Sequence, residues 1–163
     1  MKSIQYTKQS QIDEIINRST ICFIAMSKLS GEPYVIPMNF VYDKGILYLH
    51  SAPCGKHMDI LAENNKVCVC FCQPGDLVYQ SEQVACSHSM RSDSALISGE
   101  VTFVETPEEK IEIFDLLMKR FAPDREFKYS APSVAHTKVW KIVPQSITAR
   151  GVGLTFDEYK KLL

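Results

Sequence analysis

The sequence predicts a mainly β protein, an antiparallel sheet closed into a β-barrel with flanking helices, in a single domain over residues 1–163. Three observations carry this expectation. About six short runs are rich in valine, isoleucine and aromatic residues and are bounded by glycine, proline, asparagine or aspartate. These runs follow one another as hairpins, without the regular strand–helix alternation of a parallel sheet. A chain of 163 residues with 45% hydrophobic and 23% charged content is also sufficient for one buried core.

The elements follow in order. Ser10, with Asp13 near the positive end of the helix dipole, predicts a first helix whose buried stripe is Ile12, Ile15 and Ile16. TICFIAMS, residues 20–27, is a strand by its β-branched and aromatic content, and LSGEP after it is a turn. A long strand is expected from Tyr34 to Asp43. Asp43-Lys44-Gly45 then turns the chain back into ILYLH, residues 46–50, as an antiparallel hairpin. KVCVCFCQ, residues 66–73, continues the sheet. Residues 73–93 mix turn formers with a short apolar stretch and are expected to be loop and irregular strand.

SALISGEVTFVE, residues 94–105, is a strand in which Gly99 marks a bulge or a close approach. Thr106-Pro107-Glu108-Glu109 is the clearest helix start, with threonine at the N-cap, proline first and glutamate third. Ile111, Phe114, Leu117, Met118 and Phe121 are its expected apolar face. Residues 122–133 form a polar loop with two prolines, TKVWKIV (137–143) is the last long strand, and Thr155 with Glu158 caps a short C-terminal helix.

Charge and composition narrow the function. A net charge of −1 gives no reason to expect a polyanionic partner, so nucleic acid is not expected. The N-terminal MKSIQYTKQSQIDEII is too polar for a secretory signal, and no run approaches the ~20 apolar residues of a membrane span, so a cytoplasmic, membrane-free protein is expected. Cys68, Cys70 and Cys72 alternate along one strand, which predicts a core strand using cysteine as a small hydrophobe. Same-face strand neighbours lie roughly 7 Å apart, too far for sulfurs around one zinc, so no metal site is expected.

The chemistry concentrates in YLHSAPCGKHMDIL, residues 48–61. His50 ends a strand, Ser51 to Gly55 turn, and Lys56 opens a helix. The first turn of a helix offers unpaired amides and a positive dipole end, and a lysine there adds a full charge. Anions bind at such ends, Gly55 lets the backbone come close, and the Ser51 hydroxyl can donate. The spacing also suits an ordinary solvated turn. Upstream, YVIPMNFVYD places Pro37 inside a strand, where it cannot donate to a ladder. It either lies on an edge or bulge, or faces a planar heterocycle served by the backbone of Pro37 to Asn39 and the Asn39 side chain, with Met38 or Phe40 contributing apolar surface. His50 fits either a hydrogen-bonded structural role or a ligand contact.

The run GEPYVIPMNFVYDKGILYLHSAPCGKHMDIL followed by SALISGEVTFVE resembles the FMN-binding split-barrel superfamily that includes pyridoxamine 5'-phosphate oxidase. It is most similar to the pyridoxamine 5'-phosphate oxidase-related, nitroimidazole-resistance branch. The resemblance implies an antiparallel split β-barrel and a homodimer with FMN at the subunit interface. It places Pro37, Met38 and Asn39 along the isoalloxazine ring, and His50, Ser51 and Ala52 along the ribityl chain and phosphate. Gly55 and Lys56 match the phosphate-binding pair, and Ser94 a position touching the flavin from the side.

Two departures stand out: Gly55 occupies the place of an arginine and Asn39 that of a lysine, which argues against vitamin B6 oxidation itself. The implied activity is an FMN-dependent oxidoreductase passing electrons from NAD(P)H to a small electron-poor acceptor such as a nitro-aromatic compound, with no catalytic residue identified. The alternative is a non-catalytic flavin- or haem-binding carrier or sensor.

Overall fold

The computed structural model describes residues 2–162, and the chain forms a mainly antiparallel sheet of eight strands with a few helices. In chain order these are β1 (Lys2–Tyr6), α1 (Gln9–Arg18), β2 (Cys22–Ser27), β3 (Pro33–Met38), β4 (Phe40–Asp43), β5 (Ile46–Ser51) and α2 (Lys56–Glu63). They continue as β6 (Lys66–Tyr79), a 3-10 turn at Ala85–Ser87, β7 (His88–Val104), α3 (Pro107–Phe121), α4 (Ala131–His136), β8 (Lys138–Leu154) and α5 (Phe156–Leu162). The strands pair in the order β3-β2-β6-β7-β8-β5-β4, and β1 pairs with β8. Among the described residues no helix is long and apolar enough to cross a membrane.

Contacts gather the chain into two compact units. The first holds Met1–Ser19, Cys70–Ile97 and Ile147–Leu163, and the second Thr20–Val69 and Ser98–Ser146. In the first, Ile12, Ile15 and Ile16 are buried as their spacing predicts. α1 starts at Gln9, with Lys8 rather than Ser10 at the N-cap and no side-chain cap. Asp13 instead accepts a hydrogen bond from the Gln9 side chain at 2.7 Å. The unexpected β1 is a polar strand held by pairing with β8, from Ser3↔Val152 to Tyr6↔Ala149.

At the other end of that unit, the capping box of α5 is complete. The Thr155 amide donates to the Glu158 carboxylate at 2.9 Å, and the Glu158 amide donates to the Thr155 hydroxyl at 3.3 Å.

The second unit has a core of fully buried side chains that includes Ile24, Phe40, Leu47, Leu49, Trp140 and Ile142. Each contributes roughly 1.5–3 kcal/mol by leaving water. The strand expected from Tyr34 to Asp43 is divided at Asn39, because its halves serve different neighbours: β3 pairs with β2, and β4 with β5. The turn between β4 and β5 is borne out. Lys44 (φ 48°) and Gly45 (φ 81°) both take the left-handed region that a two-residue type I′ hairpin needs.

Further expectations need correction. Residues 73–93 are largely strand, the end of β6 and the start of β7. Gly75 permits this, since a Cβ there would lie 2.7 Å from the Arg91 carbonyl oxygen. β8 extends to Leu154, well beyond residue 143. Cys68, Cys70 and Cys72 do share a face, but the core takes the opposite one, with Val67, Val69 and Phe71 buried and Cys72 exposed.

The start of α3 is borne out, with Thr106 at the N-cap and Pro107 first, yet its capping box stays open and Glu109 pairs with Lys141 at 3.6 Å. The buried positions of α3 are Lys110, Ile113 and Leu117, while Phe121 is exposed. Lys110 explains the rolled face, because its ammonium donates to the carbonyls of Val134 (3.3 Å) and Thr137 (3.0 Å) at the end of α4. α4 itself lies where loop was expected. Ser130 caps it by accepting from the Ser133 amide, and a proline occupies its first turn, a signal legible in Ser130-Ala131-Pro132. Gly99 is a close approach as expected: a Cβ would meet Ile142 and the Val143 carbonyl at 2.9 Å.

Candidate functional site

The corner between β5 and α2 is built around Gly55. Its φ of 118° and ψ of 170° lie in a region essentially closed to other residues, and a Cβ would meet the His57 ring at 3.2 Å. The amides of Met58 and Asp59 both donate to the Gly55 carbonyl, at 2.9 and 3.2 Å. The amides of Lys56 and His57 are those that helix geometry leaves over at the first turn, and no side chain caps this end.

Lys56 extends from this turn to the loop before β3. Its ammonium is 2.8 Å from the Glu32 carboxylate and 5.0 Å from the centre of the Tyr34 ring. The hydrogen bond to Glu32, reinforced by its charge, raises the Lys56 pKa above the ordinary lysine value. The same bond and charge, with Lys28 adding to them, lower that of Glu32. Both side chains are about half exposed, so the pair is screened by solvent and Lys56 can exchange this carboxylate for another anion.

Ser51 faces the buried side of β5. The Trp140 indole N–H donates to its hydroxyl at 3.0 Å, and the hydroxyl donates in turn to the Ala52 carbonyl at 2.8 Å. The hydroxyl hydrogen expected to serve a ligand is therefore committed within the turn. His57 packs beside this group, its ring 5.7 Å from that of Trp140 and tilted 32°. Glu32, Tyr34, His57 and Trp140 belong to the corner although sequence reasoning did not single them out. Only His57, next to Lys56 in the chain, carried a local signal.

His50 is not brought together with this group. Successive strand residues point to opposite faces, so Ser51 and His50 diverge. The His50 ring stands edge-on to Phe114 of α3, with centroids 6.3 Å apart at 83°. It borders a cavity of about 240 Å³ between β5 and the α3–α4 helices. Part of the ring remains exposed, yet the surrounding chain removes enough water to lower its pKa below the usual imidazole value.

The other candidates sit apart. Pro37 lies in β3 opposite Phe23, and β3 ends the strand order, so the proline occupies an edge strand and is exposed. One of its flanks is thus an ordinary neighbouring strand. Met38 is half-buried, its carbonyl accepting from the Cys22 thiol at 3.5 Å, Asn39 is the exposed residue joining β3 to β4, and Phe40 is fully buried in the core and so offers no surface to a ligand. Ser94 belongs to the first unit, where its hydroxyl donates to the Arg150 carbonyl at 3.4 Å. It lines a cavity of about 540 Å³ together with Ser3, Leu96 and Thr148.

The donor set at the corner fits a phosphate: two first-turn amides, an ammonium, and a glycine whose missing side chain leaves the approach open.

A family model described as pyridoxamine 5'-phosphate oxidase matches residues 8–151. A crystal structure of a proposed 5-nitroimidazole antibiotic resistance protein from Bacteroides thetaiotaomicron VPI-5482 is 41% identical and superimposes with a TM-score of 0.83, covering 92% of this chain and 87% of that one. The FAD- and haem-binding protein from Mycobacterium smegmatis is 20% identical with a TM-score of 0.81, covering 97% of this chain and 78% of its own. The flavocytochrome Anf3 from Azotobacter vinelandii is 16% identical with a TM-score of 0.80, covering 96% and 74%. The last two speak for the fold alone. No curated protein matches the chain. The likeness bears out the split-barrel expectation.

Proposed function

The chain belongs to the pyridoxamine 5'-phosphate oxidase family, and from that premise we propose that it is an FMN-dependent oxidoreductase whose corner at Gly55 and Lys56 holds the cofactor phosphate. The observation that carries this reading is the first turn of α2, uncapped by any side chain and opened by a lysine after a glycine at φ 118°. In this reading the Lys56 ammonium and the amides of Lys56 and His57 hold the phosphate dianion, and Glu32 is displaced from Lys56 as the anion arrives. Ala52 and the main chain of His50 and Ser51 border the ribityl chain. Pro37, Met38 and Asn39 lie along the ring system, with Asn39 offering its amide to a heterocycle edge. Ser94 is assigned to the flavin by family resemblance.

Bound FMN would supply hydride acceptance and donation, so the protein's own part is placement and exclusion of water. Electrons come from NAD(P)H and pass to a small, flat, electron-poor acceptor such as a nitro-aromatic compound. The 41% identical relative, described through nitroimidazole resistance, supports that acceptor class. We further propose a cytoplasmic homodimer. Paired residues of β2 and β3, Phe23↔Pro37 and Ala25↔Val35, present one apolar and exposed face that a second copy would cover.

The test is the absorption spectrum of gently purified protein, followed by anaerobic mixing with NADH or NADPH. Flavin bands that bleach rapidly support the oxidoreductase. A colourless protein whose melting temperature does not rise with added FMN overturns the reading. The second reading is a flavin- or haem-binding carrier without turnover, in keeping with a chain in which no catalytic acid, base or nucleophile was identified. It predicts a coloured protein that NAD(P)H leaves unchanged.

A further inference from the structure

The cavity of about 540 Å³ that Ser94 borders is lined by β1, β7 and β8, entirely within the first unit. Strand alternation decides which side chains reach it. Ala95, Ile97 and Ala149 are buried on one face of the sheet, so Leu96, Thr148 and Arg150 are turned to the other. Gln5 pairs with Arg150 and Ser3 with Val152, two positions further along, which brings both β1 side chains to that same face.

Arg150 supplies the charge. Its guanidinium donates to the Ser3 hydroxyl at 3.1 Å and forms no ion pair with any described residue, whereas Lys56, Arg91, Lys138 and Lys141 each face a carboxylate within 3.6 Å. No aspartate or glutamate stands among the described lining residues. A guanidinium fork with no carboxylate opposite it is matched by an oxyanion, carboxylate or phosphate. A carboxylate has two oxygens, which the fork fills alone. A phosphate monoester has three, and the Ser3 hydroxyl, which accepts from Arg150 and keeps its own hydrogen, stands beside the fork for the third.

The rest of the lining suits the organic part of such an ester. The side chains of Gln5 and Thr148 bond to no described residue, and both donate as well as accept, as the mixed edge of a nucleobase requires. Leu96, 41% exposed, gives apolar surface for the ring to cover. A volume of about 540 Å³ falls inside the ~300–1,000 Å³ of sites for small organic ligands. We infer that this cavity binds a nucleoside monophosphate unit, its phosphate on Arg150 and Ser3 and its base over Leu96. Such a unit comes either as a free nucleotide or as the adenylate arm of the NAD(P)H donor. Ser94, assigned to the flavin, carries no part of this site, and neither Gly55 nor Lys56 lines it.

The experiment titrates AMP, with adenosine as the uncharged control, into flavin-free and FMN-loaded full-length protein. Calorimetry and the backbone amide resonances of Ser3, Leu96 and Arg150 provide the readouts. AMP is expected to saturate, to shift these resonances, and to bind roughly tenfold more tightly than adenosine, a gap that closes as salt is raised. Arg150→Gln should reduce AMP to the affinity of adenosine, whereas Leu96→Ala should weaken both alike, with melting curves confirming that each variant folds. NADPH that displaces AMP identifies the donor as the source of the unit; AMP that NADPH leaves in place identifies a free nucleotide. Absence of a saturable shift, equal binding of AMP and adenosine, or full AMP affinity in Arg150→Gln would overturn the proposal. So would AMP binding that is lost on loading with FMN, since the cavity would then belong to the flavin. If the protein takes up no FMN, the flavin-free titration decides alone, and the two readings fail separately.

Discussion

Two helix starts in this chain solve the same problem in opposite ways. At α5 the side chains of Thr155 and Glu158 bond each other's amides, so two backbone donors of that helix start are used internally. At α2 no side chain caps the turn, glycine precedes it in a conformation closed to other residues, and the first helical residue is a lysine. The first arrangement secures a helix end with its own side chains. The second keeps donors available and holds them in place through the Gly55 carbonyl, which accepts from both Met58 and Asp59. If the α2 turn binds the cofactor phosphate as proposed, changes there should alter binding while changes at α5 alter stability alone.

The largest effect is expected from Lys56→Ala. Loss of a charge-assisted contact should weaken FMN binding roughly ten- to hundredfold in a fluorescence titration, with little change in melting temperature. Unchanged affinity would remove the phosphate from this corner. Gly55→Ala comes next, since it forces a Cβ toward the His57 ring in a disfavoured conformation. It should cost about 1–3 kcal/mol in chemical denaturation and impair FMN binding as well. An alanine variant as stable as the parent would mean that the backbone at Gly55 relaxes freely.

At α5 the signature is reversed. Thr155→Ala should lower stability by about 1 kcal/mol without altering FMN affinity. The Glu158 carboxyl adds a pH dependence, because the Thr155 amide first, then Arg91 and the Thr155 hydroxyl, push its pKa down to about 2 from 4.5. A depressed folded-state pKa stabilises above the unfolded value and is lost on acidification. The contribution of this cap should therefore be complete above about pH 4.5 and disappear as pH falls through about 2. Acid titrations of parent and Glu158→Gln should converge at low pH. Divergence there would place the effect on another group.

The smallest change is expected from Glu32→Gln. Removing the carboxylate that occupies Lys56 should tighten FMN roughly two- to fivefold at low salt, an advantage that disappears as salt is raised. Weaker binding instead would mean that Glu32 positions Lys56 for the ligand.

Much of the fold was legible because it is written in local pattern. The I′ turn at Lys44-Gly45, the start of α3 at Thr106-Pro107, the cap at Thr155, and the stripe of Ile12, Ile15 and Ile16 each rest on neighbouring residues whose geometry is fixed by the backbone. The corner was legible for the same reason: Gly55 and Lys56 state their chemistry within a few positions. Several of the failures share one origin. β1, the far end of β8 and the strand content of residues 73–93 exist because a distant partner supplies the ladder. The face of α3 turned because Lys110 found the end of α4.

By itself, then, the sequence determined the class of the fold, the hairpin and the starts of α2, α3 and α5, since these depend on contacts a few residues apart. Tertiary structure alone decided that His50 and Ser51 serve different faces, and that Trp140 takes up the Ser51 hydroxyl while Glu32 occupies Lys56. It also decided that the valines, and not the cysteines, face the core in β6. These outcomes rest on which side of each strand is covered and by what, and that information enters only when segments far apart in the chain are packed together.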